Sequence, residues 1–335
     1  MYREAAQAPD AVRAQLQANA ARVARLTERL RQAPPRAVVT CARGSSDHAA
    51  TFARYLIETR LGLLTSSAAP SVSSVYDARP DLAGAVVLAI SQSGASPDLL
   101  ATVSSARAAG AYIVALVNAE TSPLAQLADD LIPLCAGTER SVAATKSYIA
   151  SLAAIVHLVA SWSRDAQLAA ALQQAPELLE RAWQLDWSAA VTHLTPANNL
   201  YVIGRGLGLA IAQEAALKLK ETCALHAEAV SAAELRHGPM ALVRAGFPLL
   251  IFTQNDESRS GVTQLAAELA AQGADVLLAG AGAARATILP TEAAHPVIEP
   301  LLFAQSFYRM ANALSLARGG DPDRPPHLYK VTETL

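Results

Sequence analysis

Glu214, Lys218 and Glu221 stand at i, i+4 and i+7, the spacing that puts three charged side chains on one face of a helix. Two carboxylates around one ammonium are parts for moving a proton. On a surface helix the same spacing makes a solvated ladder of ion pairs, so the position of the helix decides between the two. This one follows an apolar run and Gly208, and the pockets of α/β folds open at the carboxyl ends of strands. It leads into His226-Ala227-Glu228 and then Glu234-Leu235-Arg236-His237-Gly238-Pro239. An imidazole just ahead of Gly-Pro sits in a constrained turn, which suits a positioned acid or base; an isolated histidine is more often a packing or surface residue.

A second group is built for an anion. Ser91-Gln92-Ser93-Gly94-Ala95-Ser96 lies after the apolar run 86–90 and before Pro97. A helix start leaves backbone N–H groups unpaired and presents the positive end of the dipole. Three hydroxyls and an amide add donors, and Gly94 permits close backbone approach. Such residues also serve as plain turns and caps. The turn Arg43-Gly44-Ser45-Ser46 is similarly rich in hydroxyls. Gly137 to Lys146 supplies further Ser, Thr and Lys donors, or else simply caps a helix. Arg205-Gly206-Leu207-Gly208 spaces its glycines G-x-G-x-G, which is not the dinucleotide pattern G-x-G-x-x-G.

These groups need elements to hold them. Val12, Leu16, Val23, Leu26 and Leu30 predict an amphipathic helix over 11–33, stopped by Pro34-Pro35. Strands are expected at 37–41, 86–90 and 112–117, and helices at 47–61 and 97–109. Short apolar runs alternating with helices predict an α/β fold with parallel sheets covered on both faces. The layout also repeats. Arg43-Gly44 and Arg205-Gly206 follow strands 162 positions apart (205 − 43), and so do Ser91-Gln92 and Thr253-Gln254 (253 − 91). The second copy reads Thr253-Gln254-Asn255-Asp256-Glu257, and its two carboxylates would repel a phosphate. The fold is therefore expected to be duplicated and the anion site not. The expected divisions are an N-terminal helix over 1–34, a first domain over 35–168, a helical linker over 169–190 with Pro176, Trp183 and Trp187, a second domain over 191–322, and a tail over 323–335.

Composition narrows the partners. The 335 residues carry 27 Lys+Arg against 29 Asp+Glu, and 52% are apolar. That excludes a disordered chain, and it leaves no basic excess for nucleic acid. Three scattered cysteines, no metal-ligand spacing, no signal peptide and no apolar run of about 18 residues point to free thiols, no metal and a cytoplasmic protein.

The segments C-A-R-G-S-S, S-Q-S-G-A-S-P-D, E-R-S-V-A-A-T-K, E-A-A-L-K-L-K-E, H-A-E-A and E-L-R-H-G-P, with Lys330 near the end, resemble the tandem sugar-isomerase (SIS) family. They are similar to the isomerase part of glucosamine-6-phosphate synthase and to the stand-alone SIS-type glucosamine-6-phosphate deaminase. The resemblance implies two flavodoxin-like SIS domains, a phosphorylated amino sugar as substrate, no cofactor, and a homodimer whose active site takes a histidine from the neighbouring subunit. It puts the phosphate on Ser91, Gln92, Ser93 and Ser96, with Ser45, Ser46, Glu139, Val142 and Ala143 as further substrate contacts. It assigns the proton-moving carboxylate to Glu221, ring opening to His237 and a Schiff-base amine to Lys330, with Glu214 and Lys218 as the other charged members of that helix. The family's A-S-T-K reads Ala143-Ala144-Thr145-Lys146 here, one hydroxyl short. A base of this kind works best with a raised pKa, expected for Glu221 from apolar helix neighbours. The activity implied is conversion of glucosamine 6-phosphate to fructose 6-phosphate and ammonia. The alternatives are a synthase-type module using free ammonia or another amino-sugar phosphate, and a non-catalytic sugar-phosphate sensor.

Overall fold

The computed structural model describes residues 1–330 apart from 281 and 284. The chain forms two compact units. The first holds a five-stranded parallel sheet of β1 (Val38–Cys41), β2 (Thr65–Ser67), β3 (Val86–Ser91), β4 (Tyr112–Val117) and β5 (Asp130–Pro133), in the order β2-β1-β3-β4-β5. Every residue of β3 is buried, which is why the central strand reads as an unbroken apolar run rather than an alternation. The sheet is followed or flanked by α3 (Ser45–Leu61), α4 (Pro70–Ser74), α5 (Pro97–Ala108), α6 (Pro123–Leu127), α7 (Lys146–Ser163) and α8 (Ala166–Gln173). Most of α2 (Ala8–Gln32) belongs here too. Its buried Gln15 amide donates to Leu134 O (3.1 Å) and Ala150 O (2.9 Å), and Asn19 donates to Pro133 O (2.8 Å). These polar ties inside an apolar seam fix the helix in one register.

The second unit holds β6 (Asn199–Gly204), β7 (His226–Ser231), β8 (Pro248–Thr253), β9 (Asp275–Gly280) and β10 (Thr287–Leu289), all parallel, in the order β10-β9-β8-β6-β7. Its helices are α1 (Tyr2–Ala5), α9 (Ala175–Gln184), α10 (Ser188–Leu194), α11 (Leu207–Cys223), α12 (Arg259–Ala271) and α13 (Glu299–Ala317), with 3-10 turns at Glu234–His237 and Pro239–Leu242. Phe303 and Phe307 of α13 pack on Phe252 of β8, with ring centroids 5.8 and 6.5 Å away. The segment 140–145 belongs to this unit, whereas Tyr329 and Lys330 of the tail belong to the first.

The two sheets are one design used twice. Moving 162 positions takes β3 onto β8 and α3 onto α11 residue for residue. Gly44 and Gly206, which open those helices, have φ/ψ of 56/−131° and 57/−127°. Both sheets follow the doubly wound flavodoxin-like order. Boundaries differ from expectation by a few residues. Helix α2 begins at Ala8, α3 begins at Ser45 directly after the positive-φ glycine, and β3 runs on to Ser91.

Candidate active site

Ser91 ends β3 with its side chain turned inward, and its Oγ accepts the Gly94 N–H at 2.9 Å. Ser93 Oγ accepts the Ala95 N–H at 3.3 Å. These bonds curl the chain so that Gly94 adopts φ +64°, with its Cα against Ser122; a Cβ there would lie 2.2 Å from Ser122 Oγ. Gly94 O accepts the Leu124 N–H at 3.1 Å. Ser96 then occupies the N-cap position of α5 without a side-chain capping bond, with Pro97 in its first turn. Gln92, Ser93 and Ser96 remain half-buried, a set of donors around a helix start where anions are favoured. Because β1 pairs with β3, the Gly44 turn with half-buried Ser45 and Ser46 lies beside this turn. Arg43 reaches across to Asp98 in the first turn of α5, with Nε at 2.7 Å and Nη2 at 2.5 Å from Oδ2.

Glu139 is buried in the same unit. Ser147 at the start of α7 donates its hydroxyl to Glu139 Oε2 (2.6 Å), and Lys330 Nζ lies 3.6 Å from that oxygen. The segment immediately after Glu139 is held elsewhere. Val142 donates its N–H to Asp323 O at 3.3 Å, Ala143 is buried, and the Glu4 carboxylate accepts the N–H groups of Arg140 and Ser141.

The charged face of α11 is no solvated ladder. Lys218 is fully buried, 3.6 Å from Glu214 and 2.5 Å from Glu221, and Tyr308 of α13 donates its hydroxyl to Glu214 at 2.8 Å. The side chains of Glu214 and Lys218 are 1% exposed and that of Glu221 is 20% exposed. Glu221 is thus the accessible end of a buried charge relay. It was expected among apolar neighbours; its carboxylate instead faces an ammonium. His226 and Glu228 are exposed on the edge strand β7. His237 ends the first 3-10 turn, is exposed, and has no hydrogen-bond partner among the described residues.

Ser147 and Tyr308 were not anticipated. A serine at the start of a helix and a tyrosine in an apolar helix both read as ordinary packing residues, and only the fold brings each to its carboxylate. Among the described residues no group of three or more His, Cys, Asp or Glu side chains is arranged to hold a metal ion. No helix among them is long and apolar enough to cross a membrane.

The model of the SIS domain matches residues 30–161 and 193–279, one stretch in each half of the chain. The chain belongs to the SIS-domain family. It is 33% identical over 309 residues to the glutamine–fructose-6-phosphate aminotransferase of Aeropyrum pernix, covering 86% of this chain and 49% of that one. The chain spans about half the length of the curated relatives it matches. A solved structure of a proposed phosphosugar isomerase from Silicibacter pomeroyi superposes with a TM-score of 0.92 at 44% identity, covering 96% of this chain and 99% of that one. The C-terminal domain of glucosamine-fructose-6-phosphate aminotransferase from Francisella tularensis gives 0.87 at 26% identity, covering 97% and 98%. The SIS protein thus shares the fold of phosphosugar isomerases over nearly its whole length.

Proposed function

We propose that this SIS protein is an amino-sugar-phosphate isomerase, carrying out the sugar half of the reaction named for its curated relatives. In this reading fructose 6-phosphate and ammonia become glucosamine 6-phosphate, and the deaminating direction first suggested by the sequence is the same chemistry reversed. The relatives, at 30–34% identity, are aminotransferases of the isomerizing type, which favours the aminating direction. The observation that carries the reading is the buried Glu214–Lys218–Glu221 relay with its one accessible carboxylate.

The phosphate rests on Ser91, Gln92, Ser93 and Ser96, with Ser45 and Ser46 beside it. Binding energy spent there orients the reacting carbons. Ammonia adds to the C2 carbonyl and water leaves, giving the C2 imine. Glu221 takes a proton from C1, the electron pair moves to form the C1–C2 enolamine, and nitrogen gains a proton. Glu221 then delivers its proton to C2 while the C1 hydroxyl loses its own, giving the aldehyde of open-chain glucosamine 6-phosphate. Lys218 holds Glu221 in place and offsets negative charge as it develops. Lys330 faces the C1–C2 region as a Schiff-base amine or a fixed cation, Glu139 fixes its head, and Val142 and Ala143 line the sugar. His237, exposed on its 3-10 turn, assists ring opening and closing in a second copy of the chain.

The test is a product assay in both directions, from fructose 6-phosphate with ammonium and from glucosamine 6-phosphate. Formation of glucosamine 6-phosphate supports the reading. Turnover of neither substrate, with binding of both, would instead mark a sensor.

A further inference from the structure

Asp98 is a carboxylate in an unexpected place. Its side chain is fully buried, two residues beyond Ser96, in the first turn of the helix whose start is lined with hydroxyls. Its Oδ1 accepts the Leu99 N–H at 2.7 Å, and its Oδ2 accepts both Nε and Nη2 of Arg43. A carboxylate here suits the helix dipole. It also opposes any dianion arriving at the same helix start, because like charges repel strongly where water is excluded. Arg43 comes from the neighbouring turn, with its side chain 51% exposed.

The duplicated fold contains its own control. Arg205 occupies the position of Arg43, after a strand and before a glycine of the same conformation. Among the described residues its guanidinium reaches only Ser231 Oγ, at 3.4 Å, and the position matching Asp98 is the exposed Ser260. The turn in that sheet is filled from within. Gln254, the counterpart of half-buried Gln92, is fully buried and donates to Arg205 O and to Asp256, each at 2.8 Å. A Cβ on Gly208 would lie 2.5 Å from its Oε1. Of the two turns, the one that leaves Gln92, Ser93 and Ser96 half-buried is the one that carries the arginine–aspartate tie.

We propose that Arg43 is a positioning residue of the phosphate seat: by pairing with Asp98 it ties the Gly44 turn to the start of α5 and cancels a buried negative charge that would repel the substrate's phosphate. This rests on the reading that residues 91–96 hold that phosphate.

The experiment titrates the whole chain with inorganic phosphate by calorimetry, and measures KM and kcat for the phosphosugar, in Arg43→Ala, Asp98→Asn, the double variant and Ser93→Ala. Arg43→Ala should weaken phosphate binding and raise KM about tenfold or more, with kcat within about twofold, because an unpaired charge is left at the seat. Asp98→Asn keeps an acceptor for Arg43 and loses the charge, so it should bind phosphate about three- to tenfold more tightly. The double variant should return to within about threefold of the parent chain. A loss caused only by disturbed folding would not be rescued by a second substitution. The inference is overturned if Arg43→Ala binds like the parent, if the double variant stays as weak as Arg43→Ala, or if Asp98→Asn binds no tighter. Should Arg43→Ala fail to fold, Asp98→Asn decides alone. Ser93→Ala separates the two readings. If it weakens binding while Arg43→Ala does not, the seat stands and the tie fails; if it leaves binding unchanged, the seat itself is misplaced.

Discussion

Lys218 places a charged group in the interior of its unit. Its ammonium is withdrawn from water and held by two carboxylates on its own helix. Lys218→Met leaves Glu214 buried without that cation, a change that costs about 3–5 kcal/mol; urea unfolding should show the midpoint falling accordingly. Glu221→Gln is a different experiment. The amide fills the same space at a more exposed position, so stability should move by less than about 1 kcal/mol. Turnover should fall by about 10²–10⁴, the usual worth of a positioned base. Thiols give a second check at this scale. Burial, with Asp98 nearby, pushes the Cys41 thiol up to about 12, and burial also raises Cys223 and half-buried Cys135. Reactivity follows thiolate and access, so at pH 8 a disulfide reagent should label Cys135 first, and Cys41 and Cys223 only in denaturant. Native labelling of Cys41 would contradict its placement at the end of β1.

At the scale of elements, the turns matter more than the strands they end. Gly94 has both a positive φ and a Cβ position 2.2 Å from Ser122 Oγ. Gly94→Ala should therefore displace the Ser91–Ser96 turn, raising KM for the phosphosugar more than it lowers kcat. Helix α7 is apolar nearly all round, and His157 interrupts it. Its Nδ1 is buried without a partner among the described residues, and burial lowers its pKa from 6.5. Below pH 6.5 the unfolded chain takes up a proton that the folded chain refuses. Stability is therefore lost as pH falls from 6.5 through the lowered folded value, at up to about 1.4 kcal/mol per unit. Urea titrations at pH 7.5 and 5.5 should show this loss in the parent chain and its absence in His157→Leu. Strands β1, β3 and β4, helices α2, α3 and α5 and the 162-residue offset were legible in the sequence, because apolar runs and Gly-containing turns are local signals; the short strands β2 and β10 and the edge strand β7 carry no such run. The relay on α11 was legible as a spacing but not as a buried group, since helical period tells which side chains share a face and not what covers it. The Arg43–Asp98 tie was invisible for the opposite reason. Its members are 55 residues apart, and an aspartate after Ser-Pro reads as an ordinary first-turn residue.

For the whole molecule, duplication has produced two unlike halves. One turn leaves Gln92, Ser93 and Ser96 half-buried, while its twin is filled by Gln254; one unit carries the Ser91–Ser96 turn and the other the charged helix α11. If each chain lends His237 to a second copy, mixing inactive Glu221→Gln with inactive His237→Ala should restore part of the activity, since some mixed pairs contain one intact set. Activity of the mixture no higher than that of its components would confine His237 to its own chain. The decisive measurement concerns the proton itself. Glucosamine 6-phosphate, and fructose 6-phosphate with ammonium, each incubated with the protein in deuterium oxide, should lose the NMR signal of the hydrogen at C2 and of one of the two hydrogens at C1 respectively. Glu221→Gln should leave both signals intact over the same time. Wash-out by the variant at the parent rate would show that this carboxylate does not move the proton.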